Sequence, residues 1–132
     1  MHLREMKRMA EKEIMRYRES AAFVRGWLDG GGQGDPERFR ERQRWVWAVE
    51  RVLELLENKS PEKAVFCRRL YLLDKPHGRF SVPDTITKLS MELYVSPSTL
   101  YRWREEILLS VAIAAVQSRA LRPYSVEPQK DS

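Results

Sequence analysis

The sequence predicts an all-α protein with about five main helices. Apolar residues recur in steps of three and four along most of the chain, as they do on one face of an α-helix. Helix-capping residues followed by proline mark several helix starts, and breaks rich in glycine or proline separate the helical stretches. No stretch alternates apolar and polar residues for long enough to predict a β-strand.

The first predicted helix covers residues 3 to 28. A heptad-like stripe with one polar member runs along it, formed by Leu3, Lys7, Ala10, Ile14, Tyr17, Ala21, Val24 and Leu28. The stretch DGGGQGD, Asp29 to Asp35, then ends the helix in a flexible loop, because consecutive glycines disfavour a helix.

The second predicted helix begins with Asp35 as its cap and Pro36 as its first residue. Its stripe has the same spacing and consists of Phe39, Arg42, Val46, Val49, Leu53 and Leu56. Residues 1 to 58 therefore predict an N-terminal antiparallel helical hairpin that serves in packing or oligomerisation. Trp45 and Trp47 lie off the stripe, so we expect a second packing surface, against either the C-terminal part of the chain or a partner subunit.

A third helix is predicted from Ser60 and Pro61 to Leu73. Its expected core residues are Val65, Leu70 and Leu73, and Cys67 is expected to be a small buried residue. Residues 74 to 82 contain proline and glycine and predict a loop.

The stretch TITKLSMELYVSPSTLYRWR, Thr85 to Arg104, predicts a helix-turn-helix. Its apolar residues match the spacing of that motif, and the small Ser90 stands where the two helices approach closely. Tyr94 occupies the turn position that is usually glycine, which predicts a looser turn or a tyrosine held there by packing. An ordinary helical hairpin is the alternative interpretation.

The second helix of the pair is predicted to begin at Ser96 and Pro97 and to continue to about Leu121 as a long final helix. The predicted DNA-binding domain thus spans residues 59 to 122. Residues 123 to 132 contain two prolines and predict a mobile tail.

Two segments carry a family resemblance. SPEKAVFCRRLYLLD, Ser60 to Asp74, and ITKLSMELYVSPSTLYR, Ile86 to Arg102, resemble region 4 of the bacterial sigma-70 family. The whole arrangement is similar to the RinA/ArpU type of phage late-gene transcriptional regulator, from which Tyr94 and the longer linker Lys75 to Val82 depart. The resemblance implies a sequence-specific transcriptional regulator, encoded by a phage or prophage, that reads the major groove of DNA with helix 96–121.

In a helix-turn-helix the first turn and the outward face of the second helix meet the base edges. The residues expected there are Ser96, Pro97, Ser98, Thr99, Tyr101, Arg102 and Glu105. Arg102 can donate two hydrogen bonds to guanine, and Glu105 can accept one from cytosine. Lys88, Arg79 and Arg104 are predicted to contact phosphates, with pairing to a helix neighbour as the alternative for Arg104.

Charge agrees with a DNA partner. The net charge is +5, and residues 59 to 132 carry 12 Lys and Arg against 8 Asp and Glu, so +4 of it lies in the C-terminal part. Basic residues neutralise phosphates and release counterions, which favours double-stranded DNA.

The sequence predicts a protein that is not an enzyme and needs no cofactor or metal. It has neither a glycine-rich phosphate loop nor the HExxH metal motif, and its single cysteine excludes an intrachain disulfide. The charged start, MHLREMKRMAEKE, does not fit a signal peptide, and the longest apolar run is too short for a membrane span. We therefore expect a cytoplasmic location and no membrane partner.

Two alternative functions remain open. One is a DNA-packaging and assembly protein like a small terminase subunit, which also combines a helix-turn-helix with oligomerisation helices. The other is a sigma-like adaptor that binds RNA polymerase without reading DNA. A homo-oligomer, formed through the hairpin or the final helix, is compatible with each interpretation.

Overall fold

The fold is helical throughout the part of the chain that the computed structural model describes, which is residues 2–71, 73 and 81–122. Within these residues there are six helices and no strand: α1 (Leu3–Met15), α2 (Tyr17–Asp29), α3 (Pro36–Lys59), α4 (Pro61–Tyr71), α5 (Val82–Leu93) and α6 (Pro97–Gln117). The prediction of an all-α protein is confirmed. Most of the predicted loop, Arg79 and the predicted tail lie outside the described residues.

The predicted helix over residues 3 to 28 is divided at Arg16, which was not expected. Arg16 has φ −97° and ψ 6°, and its N–H donates to the carbonyls of Lys12 and Glu13 at 3.2 Å. The N–H of Ser20 donates to the carbonyl of Arg16 at 2.9 Å, so hydrogen bonding continues across the break. The break separates two helices that have different packing partners, because α1 lies against α6 whereas α2 lies against α3.

A buried ion pair lies next to this break. Arg42 of α3 donates from Nη1 to Glu13 Oε1 at 2.7 Å and from Nη2 to Oε2 at 3.3 Å. The Nη1 atom also donates to Ser20 Oγ at 3.1 Å. Glu13 precedes the break and Ser20 follows it, so Arg42 bonds α1 and α2 to α3. This contact explains why an arginine stands within an apolar stripe.

Helix α3 packs against α2, α4 and α6, so it is apolar on more than one side. Trp45 and Val52, which lie off the predicted stripe, are both 2% exposed. Packing within the chain is therefore confirmed for Trp45, while Trp47 remains 45% exposed.

One predicted core residue of α4 is wrong. Val65 is 46% exposed, whereas its neighbours Phe66 and Cys67 are buried. The run Ala64 to Cys67 is apolar at every position, so periodicity alone does not define which face is inside.

The main buried cluster draws residues from both predicted domains. Ala10 and Val49 belong to it together with Leu70, Leu100 and Val111. The predicted boundary at residue 58 therefore separates two segments that share one core.

Helix α6 ends at Gln117, four residues before the predicted end. Arg119 then adopts a left-handed φ of 68°, and the N–H groups of Ala120 and Leu121 both donate to the carbonyl of Ala115. This turn returns Leu121 to the core, where it is 4% exposed.

Candidate nucleic-acid interface

The connection between α5 and α6 is a tight turn centred on Tyr94. Tyr94 adopts the left-handed conformation, with φ 56° and ψ 41°, and its N–H donates to the carbonyl of Ser90. The hydroxyl of Ser90 donates to the carbonyl of Val95 at 2.6 Å. The tyrosine side chain is 94% exposed, so packing of the ring does not impose this conformation. The hydrogen bonds of the Ser90 carbonyl and hydroxyl hold it instead.

We predict that Tyr94→Gly stabilises the protein by about 1 kcal/mol, because glycine avoids the steric cost that L-residues meet in the left-handed region. Tyr94→Ala retains that cost and loses little packing, so it should leave the free energy of unfolding nearly unchanged. Urea denaturation of both variants measures the difference. Equal changes for glycine and alanine would show that backbone strain at this position is negligible.

Helix α6 begins at an N-terminus that a side chain caps. Ser96 is the N-cap, and its Oγ accepts from the N–H of Thr99 at 3.3 Å and also bonds Thr99 Oγ1 at 2.9 Å. Pro97 follows as the first helical residue. The Ser98 hydroxyl lies 3.3 Å from Ser96 Oγ and is exposed. The sequence therefore predicted this helix start correctly, and the cap uses the hydroxyls of Ser96 and Thr99.

The outward face of α6 presents polar and aromatic groups. Ser98 and Arg102 are exposed, and Tyr101 is 38% exposed. Within the described residues Arg102 forms no ion pair. The opposite face is apolar, since Leu100 is fully buried and the Trp103 ring meets Phe66 edge-on at 5.9 Å. The burial of one face directs the other outward.

Arg104 does not have the free guanidinium that the predicted phosphate contact requires, because Glu11 of α1 already pairs with it. Its Nε and Nη2 donate to the two carboxylate oxygens of Glu11 at 2.8 and 2.7 Å. The Tyr71 hydroxyl donates to the same carboxylate at 2.6 Å. Burial alone would raise the pKa of Glu11, but the hydrogen bonds from Arg104 and Tyr71 hold it below the usual value. The predicted alternative was pairing with a helix neighbour, and Arg104 Nη1 does lie 3.5 Å from Glu105 Oε2. The main partner, however, is Glu11 of α1, which is 93 residues away in sequence.

Glu105 is also paired from α1, since its Oε1 lies 2.9 Å from Lys7 Nζ. Its side chain nevertheless remains half exposed. Lys88 lies exposed on α5 and forms no ion pair within the described part of the chain. Arg79 lies outside the described residues. The predicted residues that the structure brings to one accessible surface are therefore those of the α6 N-terminal turns.

The part played by α1 was missed by the sequence interpretation. Lys7 was assigned to the hairpin stripe, yet Lys7 and the neighbouring Glu11 both contact α6. Opposite charges at Glu11 and Arg104 carry no sequence signal of contact, because 93 residues separate them. The spacing of Arg4, Arg8 and Lys12, one turn apart, is the signal that predicts a basic face on α1.

The described residues show few features that would suit metal binding, thiol chemistry or a membrane span. No group of three or more His, Cys, Asp or Glu side chains lies close enough there to hold a metal ion. Burial raises the pKa of the Cys67 thiol to about 12, so the thiol stays protonated at neutral pH. None of the helices in this part has the length and apolar content to cross a membrane.

Comparison of the chain with family models, curated proteins and solved structures finds no significant match.

Proposed function

We propose that α5 and α6 form a helix-turn-helix that binds double-stranded DNA and that the protein is a sequence-specific transcriptional regulator of phage or prophage origin. The observation that carries this proposal is the outward face of α6, where Ser98, Tyr101 and Arg102 stand exposed after a tight turn. In a helix-turn-helix, the exposed side chains in the first turns of the second helix are the ones that contact base edges in the major groove.

The charge distribution supports the same proposal. Arg102 on α6 and Lys88 on α5 are exposed and without ion pairs in the described residues, so both are available to an anionic partner. Arginine reads guanine through two hydrogen bonds, while a lysine on the first helix suits a backbone phosphate. We exclude Arg104 from the proposed contacts because Glu11 holds its guanidinium.

To test the proposed function, DNA fragments that the protein binds are selected from a genomic library. The affinities of variants are then compared on the selected site. Arg102→Ala should lose about 1 to 3 kcal/mol on that site and relax discrimination at one base pair. Lys88→Ala should weaken selected and scrambled duplexes equally and lower the slope of log affinity against log salt by about 1. Fluorescence anisotropy at several salt concentrations measures both effects.

Arg51→Ala is the control, because Arg51 lies exposed on α3 and pairs only with Glu54 at 3.7 Å within the described residues. It should bind both duplexes like the wild type. Equal losses on both duplexes for Arg102→Ala would mean that this residue positions the protein without reading sequence. If the wild-type protein binds no duplex, the favoured function becomes that of an adaptor that binds RNA polymerase without reading DNA.

An assembly protein like a small terminase subunit is the second candidate function. Exposed apolar residues on α3 and α6 favour it, because Trp47 is 45%, Leu109 37% and Ile113 52% exposed. Such side chains suit contacts between copies of the chain. A stable ring of many subunits in light scattering would favour assembly, whereas a monomer or dimer on one site would favour regulation.

A further inference from the structure

Helix α1 places a basic cleft beside the proposed recognition helix. The cleft between α1 and α6 is lined by two leucines, four cationic side chains and two carboxylates, namely Leu3 and Leu108, Arg4, Lys7, Arg8 and Arg104, and Glu11 and Glu105. Three of the four cations come from α1, which is not part of a helix-turn-helix. The cleft therefore adds a charged surface to the one that α6 itself provides.

The two carboxylates in the cleft are already neutralised. Glu11 accepts two hydrogen bonds from Arg104, and Glu105 pairs with Lys7. Arg4 and Arg8 are exposed, and neither forms an ion pair within the residues that the structure describes. Arg8 acts on Glu5 only through space, without an ion pair. The four cations of the cleft against its two carboxylates leave it with a surplus of positive charge.

The position of the cleft suits the wall of a DNA groove. Glu105 lies three residues beyond Arg102, which is about 4.5 Å along the axis of α6. The ion pair between Lys7 and Glu105 fixes α1 at this level. The major groove is about 12 Å wide, so the phosphates that border it come within reach of long side chains next to the recognition helix. Arg4 and Arg8 stand one turn apart, about 6 Å along α1, a distance compatible with two phosphates of one strand.

We infer that Arg4 and Arg8 form a second phosphate-binding face, which holds the backbone of double-stranded DNA beside the groove that α6 reads. This inference rests on the proposed DNA-reading function. The face contributes affinity and salt dependence and leaves sequence discrimination to α6, because phosphate contacts carry no base information. The surplus positive charge favours a phosphate backbone over an acidic protein segment, since DNA offers negative charges at regular short intervals.

The test compares the double variant Arg4→Gln/Arg8→Gln with a matched control, Arg18→Gln/Arg25→Gln. The control removes the same two charges from exposed positions on α2, whose main packing partner is α3. Glutamine keeps the helix propensity close to that of arginine, so both variants should fold, which circular dichroism verifies. Anisotropy titrations use a labelled random-sequence duplex and a duplex with the selected site, each at several salt concentrations.

For Arg4→Gln/Arg8→Gln we expect the slope of log affinity against log salt to fall by about 1.8, the value for two lost phosphate contacts. Affinity should fall by the same factor on both duplexes, and the control should match the wild type. A wild-type slope in Arg4→Gln/Arg8→Gln overturns the inference. The proposed DNA-reading function of α6 would still stand after this result if Arg102→Ala relaxes discrimination on the selected site.

Two further results are equally decisive. A change of base preference in Arg4→Gln/Arg8→Gln would show that α1 reads sequence, which contradicts a phosphate-binding face. A wild-type protein that binds neither duplex removes the proposed function and this inference together, and it leaves an acidic protein partner as the occupant of the cleft.

Discussion

Trp45→Ala should lower the free energy of unfolding by about 3 to 5 kcal/mol, because it removes a large buried ring and leaves a cavity that α3 and its neighbours can only partly fill. The indole is 2% exposed within the chain itself. Urea denaturation followed by far-ultraviolet circular dichroism measures the loss without relying on tryptophan fluorescence.

Trp47→Ala is the matched comparison, since the same side chain is removed two residues away. Trp47 is 45% exposed, so we expect a smaller loss of about 1 to 2 kcal/mol. If Trp47 instead lies in an interface between copies of the chain, the variant should also have a smaller mass in light scattering. Equal destabilisation by the two variants at unchanged mass would contradict the burial of Trp45 within the chain.

Arg42→Ala should cost about 3 to 5 kcal/mol of stability, because it leaves the buried carboxylate of Glu13 without its main partner. Both side chains are nearly inaccessible, at 7% and 8% exposure, and the Ser20 hydroxyl also loses its donor. Denaturation at neutral pH measures the change. Arg40→Ala is the control, since Arg40 pairs with Glu37 at 3.1 Å on the surface and should change stability by less than about 1 kcal/mol.

The apolar double variant Glu13→Leu/Arg42→Met separates two explanations. If an unpaired charge causes the loss, the double variant should recover most of the stability, because well-packed apolar residues often replace a buried ion pair without cost. If it remains as unstable as Arg42→Ala, the loss comes from the missing hydrogen bonds of Arg42 to Glu13 and Ser20 and not from an unpaired charge. Arg42→Ala as stable as Arg40→Ala would exclude both explanations.

The sequence predicted those features that depend on neighbouring residues. Asp35 and Ser96 begin helices because each side chain accepts a backbone N–H of the following turn. The turn position at Tyr94 is also a local feature, since the spacing of the apolar residues on either side matches the helix-turn-helix template. The left-handed geometry that the template asks of this position is present despite the tyrosine.

Features that depend on distant residues could not be predicted in this way. The heptad stripe continues through Arg16, so nothing local marks the break there, and the bonds around Arg42 are made by tertiary packing. Likewise, the sequence around Arg104 does not show whether its side chain is exposed or paired. Its capture by Glu11 follows only from the docking of α1 on α6. Whether α6 binds DNA stays a prediction until the titrations are made.

The pairing of α1 with α6 also sets an order of events during synthesis. Glu11 must find Arg104 across 93 residues and Lys7 must find Glu105 across 98. At translation rates of about 5 to 20 residues per second, α1 emerges about 5 to 20 s before its partner helix exists. For that interval its apolar side, including Ala10 and Ile14, has no α6 to cover it, so the packing of α1 must wait until α6 has been made. Helix α6 is therefore the element that completes the packing of α1, although α1 is made well before it.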